Sequence, residues 1–457
     1  MDELPQALTD ERFMTMEKLT EKGHKLLDKD DRSFTASYIN RDEMSILFFT
    51  SGTTEASKGV MLSHANIAGN VTSLTSIIKV YPNDVHLSLL PLHHTFENTI
   101  GLMFMLHMGI TISYSEGIRH LAQNIKEFRV TILIGVPAIF EALYNRLLEG
   151  IEKSGKKGLV NAMTKVSASL MKLGIDARRK IFKSVLNSLG PDLRLFASGA
   201  APIDAEILYG IQRFGITFLQ GYGLTETSPV VCATTFEHNN PGTVGRPVKD
   251  VEIAIDDPDE NGMGELLVKG QNVMLGYYEN AEETKKVMNN GWLRTGDLGI
   301  IDKRGILRIT GRIKSMIVFT NGKKAFPEDY ETLLNGLPGV KDSFVWGHTA
   351  HDGGVEVCAK IVLDRDYMAE RNISAEKMGD ELEAQIRKMN KNIPKYKILR
   401  YFVTTCEDLI KTTTLKIKRP LEMDKMKRYL DSEGVEMRKL NKKFIDGKKN
   451  DKACRQA

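Results

Sequence analysis

Three polar loops hold most of the side chains in this sequence that could do chemistry, and each follows a short apolar run. The first reads Thr50-Ser51-Gly52-Thr53-Thr54-Glu55-Ala56-Ser57-Lys58-Gly59. Its hydroxyls and glycine N–H groups can hydrogen-bond phosphate oxygens, and Lys58 adds a cation. The Gly-Lys-Ser/Thr ending of a Walker A loop is missing, and an ordinary Ser/Thr/Gly turn would have the same composition. The second loop is Ser198-Gly199-Ala200-Ala201-Pro202, and the third is Gln220-Gly221-Tyr222-Gly223-Leu224-Thr225-Glu226. A carboxylate beside phosphates is repelled unless a divalent cation lies between them, so Glu226 in such a site implies Mg²⁺. Tyr222 offers a flat face for a purine. Taken singly, these two are equally a surface acid and a core tyrosine.

Further along, Asp297 lies in Leu293-Arg294-Thr295-Gly296-Asp297-Leu298-Gly299. Its carboxylate can accept two hydrogen bonds from ribose hydroxyls, and by itself it is also a good Asp-capped turn. Arg312, Lys314 and Lys416 are cations of the kind that normally stay solvated. His93 and His94 follow Pro91. With no third ligand nearby in sequence, a gate or packing role fits this pair better than a metal site.

The elements that must position these loops follow one grammar. Met44–Phe49 is read as a short buried strand, and residues 130–136, 193–197 and 216–219 repeat the pattern. Helical stretches at 138–149 and 165–189 lie between them. Strands alternating with helices predict a parallel α/β sheet, with ligands at the carboxyl ends of its strands, where all three loops would fall. From Val251 the chain changes to short strands with glycine turns (VEIAID, GELLVKG, ILRITGR), a β-rich subdomain. After Arg312 comes a smaller α+β unit, with helices expected at 327–337 and 374–390 and a boundary near Lys314.

The 457 residues are 42% hydrophobic and 27% charged, the composition of an ordinary globular chain of two or three domains. A formal net charge of +4 argues against a nucleic-acid binder. No run of 18 apolar residues predicts a transmembrane helix, and the acidic N-terminus has no apolar signal core. Cys232, Cys358, Cys406 and Cys454 have no metal spacing and suggest no disulfide framework, so a cytoplasmic location is expected. From Lys411 onward there are 15 Lys/Arg against 7 Asp/Glu. Such a tail is normally a solvated face. Its alternative is a peripheral contact with an anionic surface, such as a membrane or a nucleotide.

Taken in order, residues 44 to about 430 resemble the AMP-forming adenylate synthetase superfamily, the family of acyl-CoA synthetases and adenylation domains. The resemblance places Thr50 to Gly59 on that family's phosphate loop. It assigns ATP or AMP contacts to Thr50, Ser51, Gly52, Thr53, Thr54, Lys58, Gly199, Ala200, Ala201, Pro202, Gln220, Gly221, Tyr222, Gly223, Leu224, Thr225, Asp297 and Arg312. It implies Mg²⁺ on Glu226 and Thr50, catalytic roles for Lys416, Glu226 and His94, and a hinge at Lys314. The sequence departs from the family pattern where Glu55 and Ser57 replace a Gly and a Pro, so Glu55 is expected to face solvent. A Gly is also missing before Lys416. Only 49 residues precede the phosphate loop, so a short N-terminus is expected, with an uncovered sheet face and marginal stability or self-association.

The expected architecture is an α/β large domain over 1–312, a small mobile α+β domain over 313–430, and a basic tail over 431–457. Leu90-Pro91-Leu92-His93-His94-Thr95-Phe96-Glu97 is similar to the long-chain fatty acyl-CoA ligase branch, which implies an acyl tunnel behind His94 and Tyr222-Gly223-Leu224, with 100–108 as a candidate wall or plain core. The implied reaction takes ATP, a fatty acid and CoA with Mg²⁺ and releases AMP and pyrophosphate. The alternatives are transfer to an acyl-carrier protein and a catalytically weak acyl- or nucleotide-binding relative.

Overall fold

The computed structural model describes residues 14–50, 57–350, 353–412 and 415–446, and the chain divides into two units, residues 1–43 and 44–457. The expected 1–312 domain therefore does not begin at residue 1. In the first unit, Thr15 caps a helix over Met16–Leu27 that has no buried residue.

The second unit opens with strands β1 (Met44–Thr50) and β2 (Lys58–Ser63). They pair antiparallel with Thr50 opposite Lys58. This corrects the sequence reading: the first loop closes a hairpin and does not end a strand of a parallel sheet. Nor is β1 buried, since among its residues Phe48 alone is.

Next come β3 (Val85–Ser88), β4 (Thr111–Tyr114), β5 (Ile132–Gly135), β6 (Leu195–Ser198), β7 (Thr217–Gly223), β8 (Val230–Ala233) and β9 (Arg246–Pro247). They form a seven-stranded sheet in the order β4-β3-β5-β6-β7-β8-β9. β3 to β7 are mutually parallel, as expected. β7 then runs past its parallel stretch and pairs antiparallel with β8 through Gly221–Gly223. Pro137 opens the helix Pro137–Lys153, a position where its missing N–H costs nothing. Phe140 on that helix packs at 4.9 Å against both Phe196 of β6 and Phe218 of β7. Such aromatic contacts add about 0.5–1.5 kcal/mol each beyond burial, and they hold the two strands that present the second and third loops. The expected helix over 165–189 is in fact three, Lys157–Lys172, Arg178–Ile181 and Lys183–Leu189. The first break falls at Gly174, whose φ of +77° suits a residue without a Cβ.

The β-rich part is as expected. It contains β10 (Val251–Asp256), β11 (Gly264–Gly270), β12 (Gly276–Tyr277), β13 (Met288–Asn289), β14 (Trp292–Ile301) and β15 (Leu307–Arg312). β12 adds to β2, and the other five form one sheet. After Arg312 a separate core takes over. It is built on β16 (Ile317–Val318), β17 (Lys324–Ala325), β18 (Val340–Thr349), β19 (Val355–Leu363) and β20 (Leu399–Thr405), with helices Pro327–Asn335 and Ala375–Asn390. The basic tail needs correction. Met437 and Leu440 are buried, and Asp446 accepts from the backbone N–H of Cys406 at 2.6 Å, so residues 431–446 belong to this small domain. Of the four cysteines, Cys232 and Cys358 are buried and free, and Cys454 lies outside the described residues. Among the described residues no helix is long and apolar enough to cross a membrane.

Candidate active site

A cleft of about 2550 Å³ is lined from one side by the ends of β6, β7, β14 and β15 and from the other by the small domain. At the end of β6, Ser198, Gly199, Ala200, Ala201 and Pro202 all line it. Ala200 is held at φ +71°, a left-handed conformation that costs a residue with a Cβ about 1 kcal/mol or more. Ser198 Oγ and Gln220 Nε2 are buried against the cleft without a partner. They are a hydroxyl and an amide donor left without a protein partner beside the cleft.

The third loop is set by close backbone approach. A Cβ on Gly223 would lie 1.7 Å from the Pro229 carbonyl oxygen, so only glycine lets β7 and β8 meet there. The next residues, Thr225–Thr227, form a single 3₁₀ turn. Thr227 Oγ1 accepts from the Leu224 N–H at 2.9 Å, and Thr95 Oγ1 lies 3.2 Å from Thr225 Oγ1. This turn brings Glu226 into the cleft, and Tyr277 Oη donates to its Oε1 at 2.9 Å. Burial, then the Glu226 charge, pushes the Tyr277 hydroxyl up, so it remains a donor.

Asp297 and Arg312 are cross-strand partners on β14 and β15. That register produces the ion pair between Arg312 Nε and Asp297 Oδ1 at 2.7 Å. Tyr222 Oη donates to Asp297 Oδ2 at 2.6 Å. Burial and the neighbouring Asp297 charge raise the phenol well above its ordinary value. Each carboxylate oxygen keeps a second lone pair, so Asp297 can still accept from a pair of hydroxyls.

Lys416 enters from the small domain on a tight turn. Its N–H donates to Thr412 Oγ1 at 3.1 Å, and its carbonyl accepts from the Thr412 N–H at 2.8 Å. The side chain still meets solvent in the open cleft, but protein surrounds it at longer range. Burial, then Arg312, pulls its ammonium down to about 8, while Asp297 and Glu226 pull the other way. Lys416 is therefore within electrostatic reach of three groups contributed by the large domain. His94 lines the same cleft, and burial, then Lys416, then His93 drives it down to about 4, so it is neutral at pH 7.

Thr50 and Lys58 also line the cleft, whereas Ser51, Gly52, Thr53 and Thr54, with Glu55, lie outside the described residues. Lys58 is not a free cation. It pairs with Glu283 and lies 4.8 Å from the Tyr277 ring centroid. Gly221, Leu224 and Thr225 are lining residues too, and Lys314 lies in a 3₁₀ turn, Ile313–Ser315, that follows β15 directly. Of the candidate tunnel wall 100–108, Ile100 faces the cleft; Phe104 and Met105 are core and Leu106 is exposed.

Sequence reasoning missed Tyr277 and Glu283, and it did not foresee the burial of Glu97. The π-helix Phe96–Phe104 buries Glu97, which accepts from Ser88 Oγ at 2.6 Å and lies 3.5 Å from His86 Nε2. Gly101 makes the room, since a Cβ there would sit 2.5 Å from the same oxygen.

A carboxylate bridged to a guanidinium and a phenol, a second carboxylate and a lysine from the small domain thus meet in one cleft. Residues 4–278 match the family described as AMP-binding enzyme, and the chain belongs to it. It is 29% identical over 446 residues to a long-chain-fatty-acid–CoA ligase of Mycobacterium bovis, covering 90% of this chain and 72% of that one. A long-chain-fatty-acid–[acyl-carrier-protein] ligase of Arabidopsis thaliana is 27% identical, over 88% and 63%. Long-chain-fatty-acid–CoA ligase 1 of Homo sapiens is 31% identical, over 67% of this chain and 47% of that one. The chain thus spans between about half and three quarters of these relatives' lengths. Among solved structures, ATP-bound MatB from Rhodopseudomonas palustris superposes with a TM-score of 0.66 at 26% identity, covering 85% and 69%.

Proposed function

We propose that this chain is an ATP-dependent ligase that activates a fatty acid as acyl-AMP and passes the acyl group to the thiol of CoA. The observation that supports this most is Lys416, carried from the small domain to Arg312, Asp297 and Glu226 in one cleft. Names of relatives supply the substrate class, and the apolar side of the cleft at Leu74, Ile77, Ile78, Phe96 and Ile100 suits an alkyl chain.

In the first half-reaction the fatty carboxylate attacks the α-phosphorus of ATP and pyrophosphate leaves. An anion must approach a polyanion, so the site's task is to place positive charge where negative charge builds. Lys416 is the mobile cation of that set. Asp297, braced by Tyr222 and Arg312, accepts the ribose hydroxyls, and Ser198 and Gln220 offer donors towards the base. Glu226 and Thr50 supply hard oxygens suited to Mg²⁺, with Tyr277 fixing the Glu226 carboxylate. Bound there, Mg²⁺ would neutralise phosphate charge. His94, being neutral, adds no charge to the path of the carboxylate.

In the second half-reaction the thiol attacks the mixed anhydride and AMP leaves. No protein nucleophile is required, and burial pushes the Cys232 and Cys358 thiols far above their ordinary range, which keeps them protonated. The small domain would turn about Lys314 between the two steps, withdrawing Lys416 and admitting the thiol. A second acceptor is favoured by one finding, the Arabidopsis relative named for acyl-carrier protein. Pyrophosphate release measured across carboxylates of increasing chain length, with CoA, with acyl-carrier protein and with neither, tests the reading. Release that rises with chain length and product that appears only with CoA are expected. Release independent of any carboxylate would overturn it.

A further inference from the structure

We propose that the helix Lys157–Lys172 and the turn after it form a docking surface for an anionic lipid bilayer. In this 16-residue helix Ser167 is the one buried residue. A helix normally covers an apolar face against the core, yet here Leu159 and Val166 are 58% and 57% exposed, and Leu173, just beyond the last turn, is 74% exposed. These three positions recur every seven residues. Seven residues turn a helix by about 700°, so they form one stripe along its side. The stripe flanks the face that rests on the protein and is therefore presented outward.

Cationic charge accompanies the stripe. Residues 153–183 contain nine Lys or Arg and one acid, Asp176, in a chain whose formal net charge is +4. Not all of these charges are free, since Lys153 and Lys157 pair with Glu149 and Glu152 just upstream. Arg178 and Arg179 are structural, since they donate to the backbone carbonyls of Gln212 at 2.8 Å and Pro191 at 3.1 Å and pin the turn to the body. Lys165 and Lys172 are exposed and make no ion pair among the described residues. Each stands one residue before a member of the stripe, about 100° round the helix. Their stems can lie along the apolar strip while their ammonium groups reach headgroup phosphates.

The combination selects the partner. An apolar stripe adds nothing to nucleic-acid binding, which is driven by phosphate charge. A second copy of the chain on this face would bring like charges together. A bilayer with anionic headgroups satisfies both features at once. This surface is distinct from the C-terminal stretch that carries the chain's other run of basic residues, and it does not depend on which carboxylate the cleft accepts.

The test is flotation of the full chain with vesicles of phosphatidylcholine alone and of phosphatidylcholine with phosphatidylglycerol. Partition onto the anionic vesicles, weakened by salt, is expected. Lys165→Gln with Lys172→Gln should lower it roughly 30-fold, and Val166→Ser with Leu173→Ser should lower it by at least tenfold. Both double variants change exposed side chains and should melt with the parent. Equal partition onto neutral vesicles, or parent-like partition of both folded variants, would overturn the proposal. So would size-exclusion data showing that the helix joins two copies.

Discussion

Replacing Lys416 with Ala should slow acyl-adenylate formation by about 10²- to 10³-fold, the usual loss when one oriented donor is removed from developing charge. The thioester step, started from supplied acyl-AMP and CoA, should stay within about twofold of the parent, because Lys416 would have left the cleft by then. The pKa adds a second signature. With the ammonium pulled down to about 8 by burial and by Arg312, about 90% of the free enzyme carries the charge at pH 7 and about 10% at pH 9. The sign is that of a cation lost as pH rises, so kcat/KM for adenylation should fall on the basic side with a midpoint near 8. Lys416→Arg should keep its charge and move that limb upward, and Lys416→Ala should show none. The assay is pyrophosphate release at low ATP from pH 6 to pH 10, alongside single-turnover thioester formation. Equal damage to both half-reactions, or a basic limb that Lys416→Arg leaves in place, would refute the reasoning.

Glu226→Gln should weaken the Mg²⁺ dependence of turnover far more than it lowers the melting temperature, since Tyr277 can still donate to the amide oxygen; a Mg²⁺ titration identical to the parent's would remove Glu226 from the metal site. Lys314→Pro should preserve adenylation and suppress thioester formation, because proline holds φ near −65° where two backbone conformations are needed; acyl-CoA made at the parent's rate would exclude the hinge. His94, driven down to about 4, stays neutral as pH falls through 6.5, so the profile should lack an acid limb there; one that vanishes in His94→Asn would contradict this. Gly223→Ala sets a Cβ 1.7 Å from a backbone oxygen that cannot rotate away. It should cost roughly 1–3 kcal/mol of stability, and an unchanged thermal midpoint would show that β7 and β8 can part there.

What the sequence discloses depends on whether a signal is local. The second and third loops were legible because an apolar run, a glycine and a polar turn lie side by side; β6 ends at Ser198 as those signals say, but β7 runs on through Gly223 because its glycines pair with β8, a partner found only in space. The strand before the first loop was legible as a strand but not as half of a hairpin. MSILFFT reads the same in a parallel and an antiparallel setting, and its partner is found only in space. The pairs that tune the site are non-local. Tyr277 is 51 residues from Glu226, and Glu283 is 225 residues from Lys58, so no spacing rule reaches them. Met437 and Leu440 were hidden for another reason: counting charge from Lys411 onward averaged two buried apolar side chains into a basic composition. Glu97 was quoted as part of a motif, but its burial depends on the wide turn of a π-helix and on Gly101, neither of which hydrophobic periodicity reports.

Arg312 links the ribose side of the cleft to the motion of the small domain. It neutralises Asp297 at 2.7 Å and also opposes the approach of Lys416, whose ammonium it helps to pull down. With no phosphates between them, bringing Lys416 to this position sets two cations against each other in a partly desolvated cleft, at a cost that falls as negative charge arrives. ATP would therefore reverse the sign of the local field and favour the docked arrangement. Loss of pyrophosphate removes most of that negative charge and leaves the Arg312–Lys416 repulsion less well compensated, just when the thiol needs entry. Lys314, two residues beyond Arg312, sits where the backbone can convert this change in electrostatic balance into rotation. In the proposed mechanism the same arginine would orient ribose in one half-reaction and help expel Lys416 before the next.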